Sequence, residues 1–224
     1  LLNPWKDQLP KEIFTENFVP PSTDGSGNDR TNLLKAKNIL EQEGWIIENG
    51  KLTKNGEEFT FEFLIVSPSD EKIALAYQSN LKKLGITMEV RTVDSSQYQA
   101  RLLNYDFDMI KRYWGVSLSP GNEQQFYWGS EVGKKDGSRN YAGIDSPVVD
   151  ALIKNLINAT DREELTTAIH ALDRVLLWGH YVVPLYHSNK DRIAYWNFFE
   201  YPDKIPLYGI VIESWWLNKD KQIN

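Results

Sequence analysis

Between Phe59 and Tyr113 the hydrophobic pattern switches repeatedly between a two-residue period and a helical one. Phe59, Phe61, Phe63 and Ile65 alternate with Thr60 and Glu62 up to Val66, which is the pattern of a strand. Ile73, Tyr77, Leu81 and Leu84 then recur at helical spacing, with Asp70 placed to cap the helix and Gly85 to end it. Ile86 to Val93 reads as strand again. Ser95 or Ser96 opens a short helix carrying Tyr98 and Leu102, and Phe107-Asp108-Met109-Ile110-Lys111-Arg112-Tyr113 reads as a third strand. A β-α-β-α-β order with helices long enough to cross over predicts a parallel sheet with right-handed connections.

The flanking segments add helices and turns. A helix is predicted over residues 31 to 43, capped by Thr31 or Asp29, with Leu33, Ala36, Ile39 and Leu40 as one apolar stripe and Gly44 as its stop. Asn49-Gly50 and Asn55-Gly56 flank Lys51-Leu52-Thr53 as the turns of a small hairpin. Ser146-Pro147 reads as an N-cap followed by Pro at the first helical position, with Val149, Leu152, Ile153 and Leu156 as the buried face. Thr160 and Glu163 form a capping box for a helix presenting Leu165, Ile169, Leu172, Val175 and Leu176. Tyr181 to Tyr186, Ile193 to Phe199 and Tyr208 to Leu217 read as aromatic-rich strands. Residues 1 to 29 have loop composition, yet Ile13, Phe14, Phe18 and Val19 predict that this stretch lies against the domain.

Several chemistries are excluded. With no cysteine, disulfides, thiolate metal sites and a Cys nucleophile are ruled out. A net charge of −6 argues against a nucleic-acid surface, which wants a basic face. No apolar run approaches the ~20 residues a membrane span needs. Asp24-Gly25-Ser26-Gly27-Asn28-Asp29 invites a calcium reading, but it lacks the Gly and distal Glu of an EF-hand loop, so turn chemistry explains it better. His170, His180 and His187 match no metal spacing, and no Gly-x-Ser-x-Gly elbow is present. Asp106 and Asp108, ~7 Å apart along a strand, allow either a glycosidase-like carboxylate pair or a solvated face.

The segment most suggestive of a ligand site follows the third strand. Tyr113-Trp114-Gly115 opens into Val116-Ser117-Leu118-Ser119-Pro120-Gly121-Asn122-Glu123, and then Gln124-Gln125-Phe126-Tyr127-Trp128. An aromatic at a strand's carboxyl end, beside a small polar loop, is how open α/β sheets build ligand sites. A Trp that merely plugs the end of a core strand is the alternative.

Those residues carry a resemblance. Asp106-Phe107-Asp108-Met109, the following aromatic, Trp114 and Gly115 resemble the family 5 extracellular solute-binding proteins, the peptide and oligopeptide receptors of bacterial ABC importers. Leu33 to Leu40 leading to Gly44-Trp45, the Asn140-Tyr141-Ala142-Gly143 segment with Pro147 and Asp150, and Val183-Pro184-Leu185-Tyr186 are similar to further segments of that family in matching order. The Ser117 to Glu123 variant is most similar to the branch associated with microcin C-type peptides.

The resemblance implies an α/β lobe of a type II periplasmic binding protein, with a central, mixed but mainly parallel sheet flanked by helices. Residues 1–187 would form the second lobe, and 188–224 would be strands returning to a first lobe. The chain begins at Leu1 without a leader-like segment, and it is expected to be roughly half of a family member. A binding role is implied, with no enzyme activity and no cofactor. The ligand would be a peptide, and the partners would be the membrane permease components and the first lobe, in the periplasm. Trp114, Gly115, Ser117, Ser119, Asn122 and Glu123 would line the cleft, with Asn140 and Tyr141 as a second patch. Relatives carry an Asp for the peptide amine where this chain has Ser117, Leu118 and Ser119, which leaves Glu123 as the acidic substitute. A sugar-binding or carbohydrate-active module, or the same fold with a non-peptide solute, are the competing readings.

Overall fold

The computed structural model describes residues 1–221 apart from 28, 116–118, 186–189 and 208. The chain divides into two compact units, Leu1–Val182 and Val183–Asn224. In the first, a 3-10 turn (Asn3–Trp5) precedes α1 (Glu12–Thr15), α2 (Arg30–Gln42), β1 (Ile46–Glu48), β2 (Lys51–Lys54) and β3 (Glu57–Glu58). Then follow β4 (Thr60–Ile65), α3 (Pro68–Lys82), β5 (Thr87–Thr92), α4 (Ser95–Leu103) and β6 (Met109–Ile110). Short helices α5 (Glu123–Trp128) and α6 (Ser130–Gly133) lead to α7 (Pro147–Ile157) and α8 (Arg162–Trp178). The second unit holds β7 (Phe199–Glu200), a 3-10 turn (Ile212–Ser214) and β8 (Trp216–Leu217).

The alternating segments form a parallel sheet in the order β5-β4-β6. Thr60 to Ile65 run opposite Thr87 to Thr92 in register, and Phe63 and Leu64 face Met109 and Ile110. A parallel strand in the middle of such a sheet must be apolar on both faces. Phe63 and Ile65 pack with Ala74 of α3 and with Met88. Leu64, with no exposed surface, packs with Val93 and with Tyr98 and Leu102 of α4. The third strand is shorter than the sequence predicts. Only Met109 and Ile110 pair with β4, and at the preceding position the Asp108 carboxylate accepts the Glu62 amide at 2.8 Å.

Helix starts differ from the predicted ones by the position of the cap. Ser67, in extended backbone ahead of Pro68, accepts from the Ser69 amide and caps α3, whereas Asp70 lies in its first turn and pairs with Lys111. Asp94 caps α4 by accepting from the Ser96 and Gln97 amides at 2.8 and 2.9 Å, displacing Ser95 and Ser96 from that role. Asp161 caps α8, and Glu164 reaches back to the amide and hydroxyl of Thr160, so the capping box sits one residue later than Thr160/Glu163. In each case the cap is the residue whose backbone is still extended, a property that residue type alone does not fix.

β1, β2 and β3 form an antiparallel meander joined by the predicted turns, with Asn49-Gly50 and Asn55-Gly56 all at positive φ. Leu33, Ala36 and Leu40 of α2 pack on Leu52, Leu84 and Ile86, but Ile39 is 60% exposed and is not part of the stripe. Asp29 caps α2 by accepting from the Asn32 amide at 2.9 Å. Gly85 sits at φ +77, and a Cβ there would lie 2.7 Å from the Leu52 amide, so only glycine fits.

α7 and α8 form a separate core. Val148, Val149, Leu152, Ile153 and Leu156 meet Ala168, Leu172 and Val175, and Ile13 of α1 is buried among them. Arg174 of α8 donates to the carbonyl oxygens of Ile13 and Glu16. Phe14 packs on this core and Phe18 meets Trp178 edge-on at 5.5 Å, whereas Val19 is 78% exposed.

Among the described residues from Tyr181 onward most of the predicted strand length is absent. Residues 181–185 have no strand pairing, and β7 and β8 pair only with each other, Phe199 opposite Leu217 and Glu200 opposite Trp216. Alternation fixes extended backbone, but a ladder also needs a neighbouring strand. Tyr186 and Tyr208, at the ends of two predicted strands, fall outside the described residues. Among the described residues no helix is long and apolar enough to cross a membrane. Replacing Leu64 by Ala should cost about 2–5 kcal/mol in urea denaturation, and a loss under about 1 kcal/mol would show that the α4 face of the sheet is not close-packed.

Candidate functional site

The carboxyl end of β6 runs through Lys111 and Arg112 to Trp114, which stands half-buried. Its indole Nε1 donates to the Arg139 carbonyl at 3.4 Å, and its ring lies 5.0 Å from that of Trp128 on α5. Trp128 in turn meets Tyr127, and its Nε1 donates to the Gln124 side chain at 3.0 Å. The buried Tyr127 donates its hydroxyl to the Gly115 carbonyl at 3.1 Å. Trp114, Tyr127 and Trp128 thus make an aromatic wall whose base is fixed at both ends of the loop. The sequence reading named Trp114 and missed Trp128 and Tyr127, although their i, i+1 placement on a short helix just past the loop was a visible signal.

Within the loop, Ser117 lies outside the described residues and Ser119 is exposed. Asn122 precedes the first turn of α5, and its carbonyl accepts from the Gln125 amide at 3.2 Å. Glu123 accepts from the Gly121 amide at 2.9 Å and from Gln124 Nε2 at 3.3 Å. Partial desolvation pushes this carboxyl up, but the backbone hydrogen bonds from Gly121 and from its own amide, with the Gln124 bond, outweigh it and hold the pKa below the ordinary glutamate value. Glu123 therefore keeps its charge while its loop is folded around it.

Asn140 and Tyr141 separate in role. Asn140, expected beside the cleft, has no exposed surface. Its Nδ2 donates to the carbonyls of Gly129 and Ile144 at 3.1 and 2.8 Å, and its Oδ1 accepts the Ile144 amide at 2.9 Å. This corrects the sequence reading, because the amide is engaged at both ends and its burial withholds it from a ligand. Its fit is tight: a Cβ on Gly133 would come within 2.7 Å of Nδ2. Tyr141 is half-buried, its hydroxyl accepts from Arg112 at 3.0 Å, and the Arg112 guanidinium carbon sits 4.7 Å from its ring centroid.

The other polar candidates are internally matched. Asp106 pairs with Arg101 at 2.9 Å, Arg101 and Arg91 both pair with Glu62, and Asp108 holds the Glu62 amide. Asp24 accepts the Ser26 amide at 2.9 Å between two glycines at positive φ, which is the turn chemistry expected of that cluster. His170 and His180 sit in or just after α8, and His187 lies outside the described residues. Among the described residues no group of three or more His, Cys, Asp and Glu could hold a metal. Two hollows of about 640 and 610 Å³ are lined, respectively, by residues from Val19 to Lys35 and by the Tyr195, Tyr201 and Trp216 region.

The architecture is that of type II periplasmic binding proteins. The chain resembles the oligopeptide-binding protein AppA of Bacillus subtilis, solved in complex with a nonapeptide, with a TM-score of 0.66 and 24% identity over 91% of this chain and 42% of that one. The chain belongs to the bacterial extracellular solute-binding proteins of family 5, whose middle-region profile matches residues 9–136. It is 40% identical, over 98% of its length, to a protein of Agrobacterium fabrum named as probable peptide-binding protein YejA, of which it covers 36%. It is 41% identical over 93% of its length to the peptidoglycan-binding protein YepA of the same organism, covering 34% of that protein. The chain thus spans about a third of the length of the curated relatives it matches, less than the half expected from the sequence. Replacing Asn140 by Ala would remove the partner of the Ile144 amide and of the Ile144 carbonyl, while the Gly129 carbonyl keeps the Gly133 amide. At about 1–3 kcal/mol per buried group, a drop of at least about 2 kcal/mol is expected in chemical denaturation, and an unchanged midpoint would show that this amide is dispensable.

Proposed function

We propose that the chain is the second lobe, over residues 1–187, of a periplasmic receptor that captures oligopeptides and hands them to an ABC importer. Residues 188–224 would return toward a first lobe, and the peptide would be enclosed by closure of one lobe on the other. The observation that carries this reading is the Trp114–Trp128–Tyr127 wall, standing at the carboxyl end of the parallel sheet beside a loop of small polar residues. A ring held by its neighbours contacts a ligand at low entropic cost, and a loop composed of Ser, Gly and Asn residues suits a peptide backbone. Two relatives named for peptide and for peptidoglycan point to ligands rich in amide groups. The role is capture without catalysis, since Asp106 and Asp108, the glycosidase-like pair, are engaged with Arg101 and with the Glu62 amide.

The test uses full-length protein and titration calorimetry with a peptide set and an oligosaccharide set. Trp114→Ala should weaken peptide binding by about 1–3 kcal/mol, and unchanged affinity would return Trp114 to a purely structural role. In the same assay Glu123→Gln should weaken a peptide with a free amino terminus and spare its acetylated form. Equal losses for both forms would show that Glu123 is not the amine anchor, and tight binding confined to the oligosaccharides would replace the peptide reading with the sugar one.

A further inference from the structure

Among the described residues four other than glycine have a positive φ: Asn49, Asn55, Tyr105 and His180. Asn and His enter the left-handed region readily, whereas a tyrosine does so at a steric cost. Tyr105, at φ +55, follows α4 at the position where a helix end of this form ordinarily has glycine. The form is complete, because the Asp106 amide donates to the Arg101 carbonyl at 2.9 Å and the Tyr105 amide to the Leu102 carbonyl at 3.4 Å. α2 closes in the same way with Gly44 at φ +83. Glycine would serve this backbone, so what Tyr105 adds is its side chain.

That side chain is half-buried, and its hydroxyl is hydrogen-bonded to the Ser138 hydroxyl. Its ring lies 6.2 Å from that of Phe107 and 6.4 Å from that of Tyr141. The Gly137 amide donates to the Leu103 carbonyl at 3.0 Å, so residues 137 and 138 are both tied to the carboxyl end of α4. The Ser138 hydroxyl also accepts the Asn140 amide at 3.4 Å. Arg139, between these two residues, offers the carbonyl that receives Trp114 Nε1. Asn140 fixes one side of that carbonyl from the core, and Ser138, held by Tyr105, fixes the other. A strained residue persists where the structure around it over-determines it, and such strain gathers at working sites. We propose that Tyr105 is a positioning residue of the ligand site, kept in left-handed backbone because its hydroxyl sets, through Ser138, the carbonyl that anchors Trp114. This rests on the reading of Trp114 as a wall of the peptide site, and Tyr105 acts through Trp114 and not on the ligand.

The test uses full-length protein labelled with fluorotryptophan, the Trp114 signal in its fluorine NMR spectrum being assigned by its loss in Trp114→Phe. Tyr105→Phe keeps the ring and removes the hydroxyl, and Ser138→Ala removes the partner of that hydroxyl. Each should shift the Trp114 signal with no peptide present, and the double variant should shift it no further than the larger of the two. Calorimetry then follows with the peptide that the wild type binds most tightly. Tyr105→Phe should weaken its binding about fivefold, as expected of one neutral hydrogen bond, and by less than about twofold in a Trp114→Ala background. A Trp114 signal unmoved in Tyr105→Phe, or equal losses of affinity in the two backgrounds, would overturn the proposal. If Trp114→Ala leaves affinity unchanged, or no peptide binds, the peptide reading of Trp114 falls, and the fluorine signal alone decides whether Tyr105 positions that ring.

Discussion

The site depends on a single buried amide. Asn140 closes a ring of hydrogen bonds on the Gly129 carbonyl and on both backbone groups of Ile144. The same region is tied to α7, because Asp150 accepts the Ser130 amide and the Ser130 hydroxyl accepts the Ser146 amide. Gly143 supplies a positive φ and Pro147 the first position of α7. A fully satisfied polar cluster in a low-dielectric interior holds one arrangement far better than apolar contacts of the same size, because each alternative leaves a group unpaired. The Arg139 carbonyl that receives the Trp114 indole and the ring that carries Arg112 are therefore set by a core residue beside them.

The parallel sheet supplies the complementary half. Its strands end together, so Val93, Lys111 and the Ser67 turn come to one edge, and the loop after β6 leaves from that edge. Along the strands themselves charge is handled by pairing: Glu62 of β4 sits between two arginines while its own amide is held by Asp108, the residue before β6. Burying such groups is favourable only when each has a counterpart. Glu123, hydrogen-bonded and ionised on the loop after β6, stands outside these ion pairs.

Much of this was legible in the sequence where local pattern and tertiary demand coincide. The β-α-β-α-β core, both Asn-Gly turns, the Ser146-Pro147 helix start and the Gly85 stop follow from periodicity and backbone geometry alone. The caps Ser67, Asp94 and Asp161 were missed because several cap-competent residues stand side by side and only the backbone chooses among them. Asn140 was placed beside the cleft through the family segment it belongs to, and the structure instead buries its amide. Nothing local announces that its amide will meet the Gly129 carbonyl, eleven residues back.

The attachment of the first segment to α8 has a kinetic side. Arg174 reaches the Ile13 carbonyl across a sequence separation of 161 residues, and Ile13 fills a place in the α7–α8 core. The strands β4, β5 and β6 meet through connections of one helix each, so their closure entropy is small. The segment around Ile13 therefore waits for its partners through the synthesis of all the elements between, since its binding place does not exist until α8 has been made. Contacts of such long span slow folding, and they leave Leu2, Trp5, Leu9 and Phe14 without their apolar neighbours while the middle of the chain is already assembled.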